Sequence, residues 1–178
     1  EKKDLKPAGV FKYFEEICQV PRPSKKEEKI IAYLKAFGAK HNLETNVDEA
    51  GNVLIKKPAT PGKENLQTVI LQSHIDMVCE KNNDVQHDFL TDPIETEIDG
   101  EWLKAKGTTL GADNGIGVAT ELAILADDSI EHGPLECLFT VDEETGLTGA
   151  FELKEGFMSG DILLNLDRSE EHTSELSH

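Results

Sequence analysis

Two helical patterns of apolar residues open the chain. The first spans residues 10–20 and ends before Pro21, which cannot continue a helix. The second follows Ser24 and Glu27, whose spacing resembles a capping box. Its apolar stripe should end near His41. The sequence therefore predicts two helices in quick succession before any strand.

Short apolar runs further along predict strands. A hairpin-like turn separates the first two, residues 43–47 and 52–56, and a second hairpin is expected around residues 99–100. The remaining predicted strands are residues 68–71, 135–141 and 161–166, and the remaining predicted helices are residues 116–126 and 149–153. Because strands and helices alternate, we predict an α/β fold with a mixed, mostly parallel sheet between helices.

Composition narrows the class of protein. The chain has 178 residues, with 35 acidic and 18 basic side chains and a formal net charge of −17. Such a surface repels phosphate backbones, which argues against nucleic acid as a partner. No apolar run approaches the roughly 20 residues that span a bilayer, so no membrane segment is expected. The three cysteines are widely scattered, which suits a reducing compartment. We therefore expect a cytoplasmic protein.

Several predicted strands end in groups that can bind metal. The first gives His74 and Asp76, the second Glu143 and Glu144, and the third Asp167; a fourth carboxylate position, Asp113, lies in a glycine-rich loop that enters a helix. Ligands of open α/β sheets bind beyond the carboxyl ends of the strands. Carboxylates gathered there would repel one another unless cations lay among them. One imidazole with several carboxylates favours zinc, manganese or cobalt, and the surplus of carboxylates suggests two ions.

Each of these residues also has an ordinary interpretation. A histidine at a strand end is commonly a hydrogen-bonded structural residue. Asp76 favours the metal interpretation, because it faces the same side of an extended chain and a carboxylate commonly supports a metal-bound histidine. Asp113 could be the N-cap of the following helix. Glu143 and Glu144 could form a solvated turn, and Asp167 alone is uninformative. The residues point to a metal site through their combination and order.

Four motifs together resemble a known superfamily. They are Ser-His-Ile-Asp-Met (73–77), Gly-Ala-Asp-Asn-Gly-Ile-Gly (111–117), Asp-Glu-Glu-Thr-Gly (142–146) and Asn-Leu-Asp (165–167). The same motifs occur in this order in the co-catalytic zinc peptidases, which include aminoacylases, glutamate-releasing carboxypeptidases and carnosinases. The surrounding sequence is most similar to the bacterial-type cytosolic aminoacyl-histidine dipeptidases. The resemblance covers nearly all of residues 5–167 and implies the phosphorylase/hydrolase-like catalytic domain of zinc aminopeptidases.

The resemblance implies a role for each matching residue. His74 and Asp167 would bind one metal, Glu144 would bind the other, and Asp113 would bridge the two. Asp76 would orient His74 from behind. Glu143 would be the general base that takes a proton from the water held between the metals. The implied reaction is hydrolysis of the peptide bond of short peptides such as Xaa-His dipeptides. The alternatives are an N-acyl amino acid deacylase, a tripeptidase or a non-catalytic metal-binding domain.

The resemblance also implies parts that have no counterpart here. Relatives bind their second metal with a further histidine near the C-terminus of a much longer chain, and no position here matches it. Their lid domain, which mediates dimerisation and recognises the substrate carboxylate, is also absent. We therefore expect residues 1–167 to be the N-terminal part of a catalytic domain that binds metal weakly and has little peptidase activity alone.

The last eleven residues, 168–178, form a separate hypothesis. Their sequence resembles a translated sequencing-library adapter, so we predict that this tail is not native; a disordered polar terminus is the alternative. Neither His172 nor His178 is proposed as the missing ligand. Genomic reads running continuously through the junction of residues 167 and 168 would contradict the adapter hypothesis.

Overall fold

The structure, a computed structural model, describes residues 2–167. A short 3-10 helix, Lys2–Asp4, precedes four α-helices: α1 (Ala8–Cys18), α2 (Glu28–Lys40), α3 (Ala112–Ala126) and α4 (Thr148–Phe151). The strands are β1 (Glu44–Val47), β2 (Val53–Lys57), β3 (Val69–His74), β4 (Thr96–Asp99), β5 (Trp102–Ala105), β6 (Leu135–Thr140) and β7 (Ile162–Asn165). The predicted elements are all present, with shifted ends.

Five strands form one mixed sheet in the order β1-β2-β6-β3-β7. The pairs β1–β2 and β2–β6 are antiparallel, whereas β6–β3 and β3–β7 are parallel. Four of the five strands therefore run in one direction, and only β2 opposes them. β4 and β5 form a separate antiparallel hairpin. The parallel trio β6, β3 and β7 matters most for the site, because its carboxyl ends meet at one edge.

The core lies on both faces of the central strands. In β2 the side chains of Val53 and Ile55 join the main apolar cluster with α1, α2 and α3, whereas Leu54 faces a smaller cluster. The same alternation holds in β3 and β6, as expected of strands whose successive side chains point to opposite faces. The smaller cluster is closed by residues that follow α4, namely Leu153, Phe157 and Met158. The main sheet is thus covered on both faces at its centre.

The predicted capping box is wrong. Helix α2 begins at Glu28, and its N-cap residue, Glu27, makes no side-chain capping bond. The hydroxyl of Ser24 donates instead to Oδ2 of Asp76 at 2.5 Å, and Glu27 accepts a bond from the main-chain N–H of Asp142. Both side chains serve distant segments rather than their own helix. The local spacing is compatible with a helix cap, but both side chains form hydrogen bonds with residues far along the chain instead.

Two further expectations concern the ends of the chain and the membrane. Residues 168–178, to which the adapter hypothesis refers, lie outside the described residues. Among residues 2–167, no helix is both long and apolar enough to cross a membrane.

Candidate metal centre

The edge formed by the ends of β3, β6 and β7 gathers all six predicted site residues. His74 is the last residue of β3 and Asp76 follows it, Glu143 and Glu144 follow β6, and Asp167 follows β7. Asp113 lies in the first turn of α3, where φ −92° and ψ 106° are not helical. Asn114 is also non-helical, and its Oδ1 accepts from the N–H of Gly117 at the start of the regular helix, so this capping bond comes from Asn114 and the N-cap interpretation of Asp113 is wrong. Its carboxylate lies instead at the imidazole of His74.

One nitrogen of His74 faces four carboxylates. From Nε2 the distances are 3.0 Å to Asp113 Oδ1, 3.6 Å to Asp167 Oδ2, and 3.8 Å to both Glu143 Oε2 and Glu144 Oε1. The imidazole itself is buried, whereas these four side chains are between 18% and 57% exposed. The arrangement is therefore a negatively charged pocket that is open to solvent on its carboxylate side.

Asp76 lies on the other side of the ring. Its Oδ1 is 3.3 Å from Nδ1 of His74, and its main-chain oxygen is 3.1 Å from the same nitrogen. The Asp76 carboxylate also accepts bonds from the main-chain N–H groups of Glu143 and Glu144. The fully buried Asp76 thus orients the ring and holds the turn that bears two of the facing carboxylates.

The pKa values of His74 and Asp76 reflect the charges and hydrogen bonds around each group. Burial alone would lower the pKa of His74, but hydrogen bonds and charges from Asp76, Asp113 and Glu143 raise it to about 9. Burial alone would also raise the pKa of Asp76, but the bonds it accepts from His74, Ser24 and the two N–H groups lower it to about 2. Without metal, His74 is therefore an imidazolium at neutral pH and is itself the cation of the pocket.

Burial and the neighbouring carboxylates raise the pKa values of both Glu143 and Glu144. Burial and then the charges of Asp113 and Glu143 raise the pKa of Glu144 to about 7. Burial is likewise the largest cause of the raised pKa of Glu143, which Asp167 raises further and His74 opposes. The pocket has more negative charge than its one imidazolium can neutralise. Cations would relieve this repulsion.

Donor groups in the pocket fit divalent metal. Two sets of three side chains have ligand atoms within 4.8 Å of one another: His74 with Asp113 and Asp167, and His74 with Glu143 and Glu144. Imidazole nitrogen with carboxylate oxygen is a donor set for zinc, manganese or cobalt, whereas calcium would take oxygen alone. The prediction of which residue binds which ion stays a prediction, because the two sets share His74.

The turn after β6 is fixed from three sides. Asp142 has φ +51°, a conformation uncommon for residues other than glycine, and its N–H donates to Glu27 Oε2 at 2.7 Å. The buried side chain of Asn52 accepts from the N–H of Val141 and donates to the carbonyl of Gly149. Asp76 provides the third attachment. Asn52 was not among the predicted site residues, because an asparagine directly after a turn glycine carries no distinguishing signal in the sequence.

Glu27 provides a prediction about stability. It is 6% exposed, and burial raises its pKa to about 7 despite the N–H of Asp142, with the charges of Asp76 and Asp142 adding to the rise. The folded protein therefore retains a proton that the unfolded chain releases near pH 4.5. The stability that this proton provides is complete below pH 4.5 and is lost as the pH rises through about 7.

We expect Glu27→Gln to raise the free energy of unfolding by about 1–3 kcal/mol at pH 8 and to change it little at pH 4.5, because the amide still accepts from Asp142 and cannot ionise. Urea unfolding of the metal-free chain at both pH values measures this. The neighbouring exposed Glu28, changed to glutamine, controls for loss of one charge. An equal effect of Glu27→Gln at both pH values would contradict the assignment.

Comparison with known proteins agrees with this fold. Over 171 residues, or 96% of the chain, the sequence is 50% identical to the cytosol non-specific dipeptidase of Escherichia coli (strain K12), of which it covers 35%. The crystal structure of aminoacylhistidine dipeptidase from Vibrio alginolyticus superposes with a TM-score of 0.92 and 54% identity, covering 95% of this chain and 34% of that one. A tripeptidase from Staphylococcus aureus gives a TM-score of 0.76 and 25% identity, covering 90% of this chain and 43% of that one.

The chain spans about a third of the length of the first two relatives. The predicted α/β fold and the resemblance to the zinc peptidases are confirmed by these matches. Peptidase family M20/M25/M40, whose members depend on metal, matches residues 70–172, which include every residue of the pocket. The chain therefore belongs to peptidase family M20/M25/M40.

Proposed function

We propose that this chain provides most of the metal site of a two-metal dipeptidase. The observation that supports this best is the convergence of four carboxylates from separate segments on one imidazole nitrogen, at distances of 3.0 to 3.8 Å. Such a cluster repels itself without cations, and it lies at the open edge of the sheet where a substrate could approach. The proposal also draws on the relatives, whose names include two dipeptidases.

Two ions would be held unequally. His74, Asp113 and Asp167 offer a nitrogen and two carboxylates to the first, and these three form one of the close donor sets. Asp113 would bridge to the second ion, to which Glu144 adds its carboxylate. Zinc is the metal that we favour, with manganese or cobalt as alternatives. Because two carboxylates are an incomplete ligand set, we expect the second ion to bind the isolated chain more weakly.

Glu143 is the group that we assign to proton transfer. Bound metal ions would lower the pKa of water and polarise the scissile carbonyl. The Glu143 carboxylate would accept a proton from the attacking water and deliver it to the amine that leaves. Asp76 would keep Nδ1–H of His74 engaged, so that Nε2 stays directed at the pocket. Its low pKa keeps Asp76 ionised for this task at any pH near neutrality.

The substrate class is short peptides, such as dipeptides with a C-terminal histidine. The names of the two similar dipeptidases favour this class, whereas the tripeptidase relative keeps a longer peptide as the second candidate. Deacylation of N-acyl amino acids and metal binding without catalysis are the remaining alternatives. We further propose a cytoplasmic location and, for the whole protein, a homodimer, as the relative's name and the family resemblance suggest.

A hybrid enzyme tests the proposal. In this hybrid dipeptidase, residues 1–167 replace the matching third of the E. coli dipeptidase, to which the chain is 50% identical. We expect the hybrid to contain metal by mass spectrometry and to hydrolyse dipeptides. Hydrolysis of N-acyl amino acids or tripeptides in preference would favour those alternatives. A folded, metal-loaded hybrid without any hydrolytic activity would contradict the catalytic assignment.

Metal affinity should depend steeply on pH. The pKa of His74 is about 9 without metal, so below pH 9 an ion must displace a proton from the ring. Apparent zinc affinity of the chain should therefore rise about tenfold per pH unit from pH 7 to pH 9, or about 100-fold in all. Competition with a chromophoric chelator at each pH measures the affinity. Affinity that is constant over this range would contradict binding through His74.

A further inference from the structure

The connection between α1 and α2 runs behind the metal site without contributing a ligand. Arg22 lies at its centre, only 2% exposed. Its main-chain oxygen accepts a bond from the N–H of Met77 at 3.0 Å, and Pro23 forms a bridge with the same residue. This connection is therefore attached to the chain just beyond Asp76. Arg22 was not among the predicted site residues, because its sequence surroundings carry no signal that distinguishes it.

The guanidinium of Arg22 joins two segments that bear site residues. Nη1 donates to the carbonyl of Ile75 at 3.0 Å and of Asp76 at 3.4 Å, whereas Nη2 donates to the carbonyl of Gly111 at 2.5 Å. The first two carbonyls belong to the segment that follows His74. The third belongs to the loop that leads directly into Asp113. One side chain thus spans the gap between the two segments whose side chains meet at Nε2 of His74.

The fit around the guanidinium is tight. A Cβ atom placed on Gly111 would lie 2.5 Å from Nη2, and one placed on Gly115 would lie 2.7 Å from it. Gly111 also has φ +79°, a conformation that glycine adopts without strain. These two glycines of the Gly-Ala-Asp-Asn-Gly motif therefore leave room for Arg22. Part of the motif's composition is explained by the arginine rather than by the metal pocket.

Arginine suits this place better than lysine. Its planar fork offers donors in several fixed directions and so reaches both segments at a fixed spacing, whereas an ammonium group is a compact point charge on a flexible stem. The buried cation also lies near the carboxylates of Asp76 and Asp113, which offset part of the cost of its burial. An arginine satisfied by carbonyls can equally be a stabilising element without influence on a ligand set. A purely stabilising residue should affect metal affinity only through stability. A residue that positions the ligands should affect metal affinity even between variants of equal stability.

We propose that Arg22 is a positioning residue of the metal site, fixing the separation between the segment of His74 and Asp76 and the loop of Asp113. Metal sites require their ligands to be held within about 0.5 Å, and supporting bonds of this kind provide that precision. The proposal rests on the proposed function, because it assumes that His74 and Asp113 bind metal together.

The test compares Co²⁺ binding by the whole chain with Arg22→Lys, Arg22→Met and a matched control. Lys57→Met is the control, because Lys57 is a second buried cation whose Nζ donates to main-chain carbonyls, those of Ile124 and Asp127. Those carbonyls lie at the opposite end of α3 from Asp113. Each variant is measured for urea stability, for Co²⁺ affinity by chelator competition, and for the visible d–d absorption of bound Co²⁺.

We expect Arg22→Met to lower Co²⁺ affinity by about 10- to 100-fold, the range typical of lost supporting bonds around metal ligands. Arg22→Lys, which keeps the charge, should fold and show an altered d–d spectrum with a smaller loss of affinity. Lys57→Met should lose stability yet bind Co²⁺ with the affinity and spectrum of the unchanged chain.

Three results would decide against the proposal. Wild-type affinity and spectrum in Arg22→Lys and Arg22→Met would overturn it, since the spacing would then not depend on the guanidinium. So would a loss of affinity in Lys57→Met that matches the arginine variants, since stability alone would then explain it. Absence of Co²⁺ binding by the unchanged chain would overturn the proposed function itself, and this inference with it.

Discussion

Replacing Glu143 by glutamine in the hybrid dipeptidase is expected to lower kcat for dipeptide hydrolysis by about 1000-fold, within the range that general bases contribute. The amide is nearly the same size but cannot take a proton from water. In the metal-free pocket burial is the largest cause of the raised pKa of Glu143, and a raised pKa favours taking up a proton. Steady-state kinetics and metal analysis of the same preparation measure the effect. Metal content should not change.

Glu144→Gln is the matched comparison. The two glutamates are adjacent, and each has a carboxylate oxygen 3.8 Å from Nε2 of His74. Because we assign Glu144 to metal binding, its variant should lose metal together with activity. If Glu143→Gln also lost metal in proportion to activity, Glu143 would be a ligand rather than the base. Its membership of a close donor set with His74 and Glu144 makes that outcome a real alternative.

Removing His74 and Asp113 together should abolish metal binding by the chain. His74 belongs to both close donor sets, and Asp113 lies nearer to Nε2 than any other carboxylate of the pocket. Loss of a single supporting residue around a metal typically lowers affinity 10- to 100-fold, so the loss of two direct ligands should exceed about 1000-fold. Metal content by mass spectrometry after gel filtration, with zinc or manganese supplied, measures the difference.

The control removes the same residue types elsewhere. His132→Ala with Asp128→Ala changes one histidine and one aspartate in the connection between α3 and β6, and it should leave metal content unchanged. Circular dichroism of each variant verifies folding, since the ring of His74 is buried and its removal leaves a cavity. Equal metal in the His74→Ala, Asp113→Ala variant and the unchanged chain would contradict both assignments.

Sequence alone determined the elements of the fold and the edge where the site lies. The placement of Leu54 and its neighbours on opposite faces, and the mostly apolar character of residues 135–140, are local properties that follow from residue type and from the period of a strand. Chain order then placed His74, Glu143 and Asp167 at or just beyond the ends of β3, β6 and β7. Parallel pairing of those strands brings their ends together without any further information.

Only the tertiary structure decided which polar side chains form hydrogen bonds with one another. Ser24 and Glu27 have the spacing of a helix cap, yet their hydrogen bonds go to residues 52 and 115 positions away. Asp113 could have capped α3 by its position, but its carboxylate meets His74, which is 39 residues distant. A polar side chain bonds the partner that burial brings within reach, and a short sequence window does not contain that partner.

Contacts between remote segments also explain why the sequence did not reveal the role of Arg22 or the shifted pKa values of the acidic residues. The three carbonyls that Arg22 binds belong to segments 53 to 89 residues further along, so no local pattern marks it. Burial and neighbouring charges raise the pKa of Glu144, whereas the hydrogen bonds that Asp76 accepts lower its pKa in spite of burial. Sequence supplied the ligand types and their order, because these depend on chain direction and residue chemistry. Folding supplied their distances, charges and supports, because these depend on contacts between remote segments.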